Sequence, residues 1–127
     1  MESAANATAS SGPDWTRVGA ALLAIGVACA AFSAHGLEKL VDADLVHVFE
    51  TGVRQHLVHA VGLLVLGQLP SPPRACGWLV LMGIVLFSGS LYTLALSGQR
   101  WLGAITPLGG LSFIVGWSLL AIRGYRR

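Results

Sequence analysis

The chain has 127 residues and a formal net charge of only +2, and hydrophobic residues make up 54% of it against 11% that are charged. Ordinary soluble domains carry roughly 25% charged residues, so this composition is typical of an integral membrane protein. The length favours one domain, and the lack of a long basic run in the sequence argues against a nucleic-acid partner.

The N-terminal part of the sequence divides into a tail and a first helix. Residues 1–14 are small and polar, a composition that cannot bury a core, so we expect a disordered tail. The apolar stretch at about 15–34 is long enough to cross a bilayer as one helix. Its alanines Ala20, Ala24 and Ala28 are spaced four apart and predict a surface on which another helix packs closely.

Three further helices are predicted, at about residues 46–69, 76–96 and 101–122. The second is polar in its first half and apolar in its second. Pro107 near the start of the fourth frees a backbone carbonyl one turn back, which either lines a small polar pocket or marks a plain kink. Short polar connections separate all four helices, which favours antiparallel neighbours. The expected fold is therefore all-α, an integral membrane four-helix up-down bundle spanning residues 15–127.

Positive charges predict the orientation of this bundle. Four crossings put both termini and the second loop on one side, which holds five arginines: Arg17, Arg74, Arg123, Arg126 and Arg127. The opposite loops hold only Lys39 and Arg100 as positive side chains. The positive-inside rule therefore places the termini in the cytoplasm, across a bacterial inner membrane or, alternatively, an organellar inner membrane.

Polar side chains converge in the half of the bundle that faces the first and third loops. They come from the end of helix one, the start of helix two, the end of helix three and the start of helix four. Ionisable groups at membrane depth are costly and mark function by default. The predicted polar pocket consists of His35, Glu50, Arg54, His59, Ser88, Tyr92 and Thr106.

Each ionisable member of this pocket has a structural and a functional interpretation. Glu50 and Arg54 are spaced i, i+4, so they can form an ion pair that clamps helix two or belongs to a ligand site. His59 either makes an interhelical hydrogen bond to Tyr92 or Ser88, or serves proton transfer, a quinone or haem. Glycine-rich packing leaves little room for haem, so we predict neither a cofactor nor a metal.

Five ordered blocks carry a resemblance to a known family: FSAHGL at 32–37, FETGVR at 49–54, HA at 59–60, FSGSLY at 87–92 and RWLGAITPLGG at 100–110. Over about residues 16–122 the chain resembles domain-of-unknown-function family 423, also called the transmembrane protein 256 family. The resemblance implies a multi-pass membrane protein and supplies no activity. Members often have Tyr-Gln after the arginine, where this chain has Gln55-His56.

The sequence therefore favours a membrane accessory protein that binds a small ligand or a lipid in a polar pocket. One alternative is a membrane enzyme or proton-coupled carrier that uses His59, Arg54 and Glu50, and an enzyme is the less favoured interpretation. Another is a structural subunit of a larger complex. The expected partner is the lipid bilayer, and a homo-oligomer or a larger membrane complex stays open.

Overall fold

The computed structural model describes residues 12–125, which form four long helices and contain no strand. Helix one is Trp15–His35, helix two Ala43–Leu66, helix three Arg74–Ser97 and helix four Thr106–Arg123, with short 3₁₀ segments at Leu37–Lys39 and Arg100–Ala104. The predicted fold class, an all-α membrane bundle of four helices, is confirmed. The predicted disordered tail lies outside the described residues over positions 1–11.

Local capping explains where the first two helices begin and end. Helix one starts after Asp14, whose carboxylate accepts a hydrogen bond from the Arg17 backbone N–H at 3.2 Å. Helix two starts three residues earlier than predicted, because Asp42 is extended and its carbonyl already accepts from the N–H of Leu45. It also ends three residues early, at a cap formed by Gly67.

The fourth helical segment begins near the predicted residue, but as a 3₁₀ turn, and neither of the two interpretations of Pro107, a pocket-lining carbonyl or a kink inside an α-helix, describes its position. The segment Arg100–Ala104 is a 3₁₀ turn, and the α-helix starts at Thr106 with the proline in its first turn. A proline has no N–H to donate and its φ angle suits a helix start, so this position costs little.

Helix three contains a feature that the sequence did not predict, a π-helical segment at Ile84–Ser88. A π turn closes i to i+5 hydrogen bonds and takes up more residues than an α turn. Both ends of the segment face the interior: Ile84 is 4% exposed and Ser88 is 1% exposed. Residues four apart share a side of an α-helix as well, so the inward face of helix three continues through the π turn, and Ser88 reaches helix two from that face.

Glycines of helix one set the close approach of helices one and two. A Cβ atom placed on Gly19 would lie 2.6 Å from the backbone nitrogen of Leu64, which leaves no room for a side chain. The predicted alanine surface is not used in this contact, because Ala20, Ala24 and Ala28 are all exposed on the outside of the bundle.

Three helical segments are long and apolar enough to cross a membrane: Trp15–His35, Arg74–Ser97 and Arg100–Arg123. Helix two is as long, but its first half is polar. It runs antiparallel to helix one. At one end of the pair the Gln68 amide donates to the Thr16 hydroxyl at 2.8 Å, and at the other end Phe49 packs on Phe32. Large apolar side chains of all four helices are exposed, as expected for a surface that faces lipid.

Candidate functional site

His56 of helix two is the centre of the buried polar network. Its Nε2 atom lies 2.8 Å from the carbonyl oxygen of Leu22 in helix one, and its Nδ1 atom lies 2.9 Å from the hydroxyl of Tyr92 in helix three. A carbonyl only accepts, so Nε2 carries the hydrogen; in the neutral ring Nδ1 then accepts from the tyrosine. This one side chain, 3% exposed, therefore ties three helices together.

Two serines of helix three complete the network. Ser88 Oγ donates to the carbonyl oxygen of Gly52 in helix two at 2.7 Å. Ser90 Oγ lies 2.7 Å from Thr106 Oγ1 at the start of helix four. Hydroxyls and imidazoles that bond across helices are a usual source of association inside membranes. Ser88, Tyr92 and Thr106 of the predicted pocket thus all take part in contacts that hold helices together.

His59 does not make the interhelical hydrogen bond that the sequence suggested. Its Nδ1 atom donates to the carbonyl oxygen of Gln55, one turn earlier in the same helix, at 2.8 Å. Its ring stacks on Phe113 of helix four with centroids 3.5 Å apart and planes 15° from parallel. The expected partners Tyr92 and Ser88 are bonded to His56 and Gly52 instead.

The charged members of the predicted pocket lie outside the bundle. Arg54 is exposed and Glu50 is partly exposed, and within residues 12–125 they form no ion pair with each other. Each residue advances about 100° around a helix, so Arg54 and His56 point about 200° apart. The predicted pocket that joins Arg54 to Tyr92 is therefore not formed. His35 is also exposed, at the end of helix one.

The predicted pocket left out His56 and Ser90, although helical periodicity offered a signal for their burial. The buried stripe of helix two recurs every three or four residues and comprises Phe49, Gly52, Val53, His56, His59, Ala60, Leu63 and Leu66. His56 occupies the middle of this stripe, where an inward position follows from helical periodicity. Ser90 had a similar signal, because it lies seven residues after Gly83 and four before Leu94, both of which are buried in helix three.

The outward face of helix two has a polar and an apolar half. We define this face as His47, Glu50, Arg54, Val58, Val61 and Val65. These residues recur at spacings of three and four, so they share one side of the helix. The polar three lie nearer the first loop. The three valines lie deeper and are 65%, 48% and 51% exposed in chain order.

The depth of Arg54 follows from its neighbours on helix one. Phe49 packs on Phe32, and Leu57 lies against Gly26, so Arg54 is level with the residues between these two contacts. Helix one ends at His35. Arg54 is thus level with about residue 28 of helix one, and at 1.5 Å per residue its Cα atom lies about 10 Å inside that end.

A cavity of about 470 Å³ lies at the other end of the bundle, and its lining includes Trp15, Gly67, Ser71 and Arg74. None of the seven predicted pocket residues lines it. Across residues 12–125, no three His, Cys, Asp or Glu side chains cluster in a way that could hold a metal ion.

Comparisons with known proteins identify relatives that are named as membrane proteins. A family model described as "Protein of unknown function (DUF423)" matches residues 29–110. UPF0382 membrane protein YwdK of Bacillus subtilis is 45% identical over 108 residues, covering 80% of this chain and 86% of the relative. UPF0382 membrane protein SH2409 of Staphylococcus haemolyticus is 42% identical over 113 residues, covering 86% and 93%. No solved structure matches the chain.

Proposed function

The chain belongs to the DUF423 family of proteins of unknown function, and we propose that it is a non-catalytic accessory protein of the membrane that binds a phospholipid on the outward face of helix two. The proposal keeps the lipid-binding function that the sequence favoured. It moves the site from the interior of the bundle to its surface.

Arg54 carries this proposal. It is exposed about two turns inside the end of helix one, and within residues 12–125 it has no hydrogen-bond or ion-pair partner. A cation at such a depth is costly unless a counter-charge meets it. Helical side chains lean towards the N-terminus of their helix, so Arg54 reaches towards the headgroup level on the first-loop side. A lipid phosphate there matches the fork of the guanidinium.

The order of residues along the same face supports a phospholipid rather than a soluble anion. The acyl chains of a lipid whose phosphate meets Arg54 extend towards the middle of the bilayer. Val58, Val61 and Val65 occupy that stretch and are exposed. The face thus offers a cationic contact at headgroup depth and an apolar track below it, which is the polarity of one lipid molecule.

The alternative of an enzyme or proton-coupled carrier has less support. His59 is stacked on Phe113, on a different side of helix two from Arg54, so His59, Arg54 and Glu50 do not share a site. The hydroxyls of Ser88, Tyr92 and Thr106, the other polar groups of the predicted pocket, are occupied by hydrogen bonds between helices.

The proposal includes an orientation, with both termini in the cytoplasm of a bacterial cell and the membrane being the inner one. Arg17, Arg74 and Arg123 on the side of the termini support it. The outward face of helix two would then contact lipids of the leaflet away from the cytoplasm.

Lipid retention tests the proposed function. The wild-type protein and the Arg54→Gln variant are purified in a mild detergent, and bound phospholipid is counted by native mass spectrometry. We expect the wild type to retain phospholipid and the variant to lose about tenfold in lipid affinity, as for one charge-assisted hydrogen bond. Arg123→Gln, an exposed arginine at the other end of the bundle, is the matched control and should retain lipid.

Folding is measured in the same samples by size-exclusion chromatography and thermal unfolding. Because Arg54 has no partner within residues 12–125, its replacement should leave folding unchanged. Equal lipid retention by the wild type and the Arg54 variant would overturn the proposed function. So would a wild type that retains no phospholipid.

A further inference from the structure

Glu50 lies beside the proposed phosphate contact, and Arg54 does not neutralise its negative charge. It lies four residues before Arg54 on the same face of helix two, about 6 Å nearer the first loop along the helix axis. It is partly buried, and within residues 12–125 it has neither an ion-pair nor a hydrogen-bond partner. A partly buried carboxylate at the edge of a membrane is best satisfied by a cationic donor.

Resting on the proposed phospholipid site, we infer that the outward face of helix two selects a zwitterionic headgroup with a hydrogen-bonding ammonium, that of phosphatidylethanolamine. Arg54 binds the phosphate. Glu50, one turn nearer the water, accepts hydrogen bonds from the ammonium group. The order of the charges, cation deeper and carboxylate nearer the surface, mirrors that of the headgroup, in which the amine extends beyond the phosphate.

Charge complementarity separates this lipid from the other common headgroups. Phosphatidylglycerol offers Arg54 the same phosphate but brings no cation to Glu50, and its net negative charge is repelled by the carboxylate. Phosphatidylcholine has a positive group, but its three methyl groups leave no N–H to donate. Arg54 and Glu50 together are neutral, as is phosphatidylethanolamine.

Within residues 12–125, neither Lys39 nor His47, the other basic side chains nearest the first loop, forms an ion pair or hydrogen bond with Glu50. Arg100 forms an ion pair with Asp44 at 3.5 Å, so that cation already has an acidic partner. The backbone carbonyl of His47 accepts a hydrogen bond from the Thr51 hydroxyl, which engages the turn next to Glu50 locally. Neither contact neutralises the Glu50 carboxylate.

Headgroup competition in nanodiscs tests the inference. Wild-type protein, Glu50→Gln and Arg54→Gln are reconstituted in equimolar phosphatidylethanolamine, phosphatidylglycerol and phosphatidylcholine, and the lipids that stay bound on release are identified by mass spectrometry. We expect wild-type protein to enrich phosphatidylethanolamine about tenfold over the other two. Glu50→Gln should bind phosphatidylglycerol at least as well as it binds phosphatidylethanolamine, and Arg54→Gln should bind all three lipids about tenfold more weakly than the wild type. Glu38→Gln, an exposed loop glutamate, is the control and should keep the wild-type ranking.

The outcomes separate the inference from the proposed function. If Arg54→Gln loses lipid while Glu50→Gln keeps the wild-type ranking, the headgroup inference falls and the phospholipid site stands. If Arg54→Gln binds as the wild type does, both fall. A second measurement needs no variant. The affinity of the wild-type protein for mono- and dimethylated phosphatidylethanolamine should equal its affinity for phosphatidylethanolamine, and its affinity for the trimethylated lipid should be lower. An even affinity across this series would refute the role of the ammonium N–H.

Discussion

The hydrogen bond between His56 Nδ1 and the Tyr92 hydroxyl joins helix two to helix three at 2.9 Å, and a double-mutant cycle measures its contribution. The cycle uses His56→Phe, Tyr92→Phe and the variant with both changes. His56→Phe removes this bond and the bond to the Leu22 carbonyl, whereas Tyr92→Phe removes only the shared one. The two single changes therefore overlap in one interaction.

The expected size follows from hydrogen bonds between helices in membranes, which average about 0.6 kcal/mol and reach about 1.7 kcal/mol. Tyr92→Phe should lower the free energy of unfolding by about 0.6–1.7 kcal/mol, and His56→Phe by about 1–3 kcal/mol. The double variant should lose less than the sum of the singles, by about 0.6–1.7 kcal/mol. His56→Gln should lose less than His56→Phe, because an amide donates and accepts as the ring does.

Reversible unfolding by sodium dodecyl sulfate in mixed micelles provides the assay, followed by far-ultraviolet circular dichroism. Tyr125→Phe is the matched control, since the second tyrosine is 42% exposed and outside this network; it should leave the free energy of unfolding unchanged. If the losses of the two single variants add to that of the double variant within about 0.3 kcal/mol, the bond contributes nothing and the reasoning is refuted.

Three further predictions concern packing and topology. Gly109→Ala should reduce the yield of folded protein, because the new Cβ would overlap the backbone of Phe87; Gly103→Ala, whose Cβ would meet nothing nearer than 3.7 Å, should fold normally. Ser88→Ala should lower the free energy of unfolding by about 0.6–1.7 kcal/mol, while Ser118→Ala on the exposed surface should not, both measured in the same micelles. Compartment reporters fused into the first and second loops should report opposite sides of the membrane, and the same side for both would overturn the four-crossing topology.

The number, order and membrane class of the helices could be predicted from the sequence, and so could the family. Long apolar stretches and prolines are local signals, and they located all four helices to within a few residues except at the start of the fourth. The resemblance drawn from five short blocks is confirmed by the family match over residues 29–110. The phospholipid site and the orientation stay predictions.

The candidate site was predicted less well. Its members were grouped by their depth in the membrane, without regard to the side of the helix on which each residue lies. Arg54 and His56 are two residues apart and at nearly the same depth, yet one is exposed and the other is 3% exposed. The polar side chains do gather near the first and third loops. Depth alone does not decide which of them meet.

The sequence by itself determined that this chain folds as membrane helices joined by short loops, because hydropathy and chain breaks are properties of consecutive residues. Only the tertiary structure decided which of these polar side chains meet. The pairings depend on close approaches such as that of Gly19 to Leu64, which fixes the distance between helices one and two. Such approaches are set by packing between residues far apart in the chain, and they bring His56 within hydrogen-bond distance of two other helices while Arg54 stays exposed.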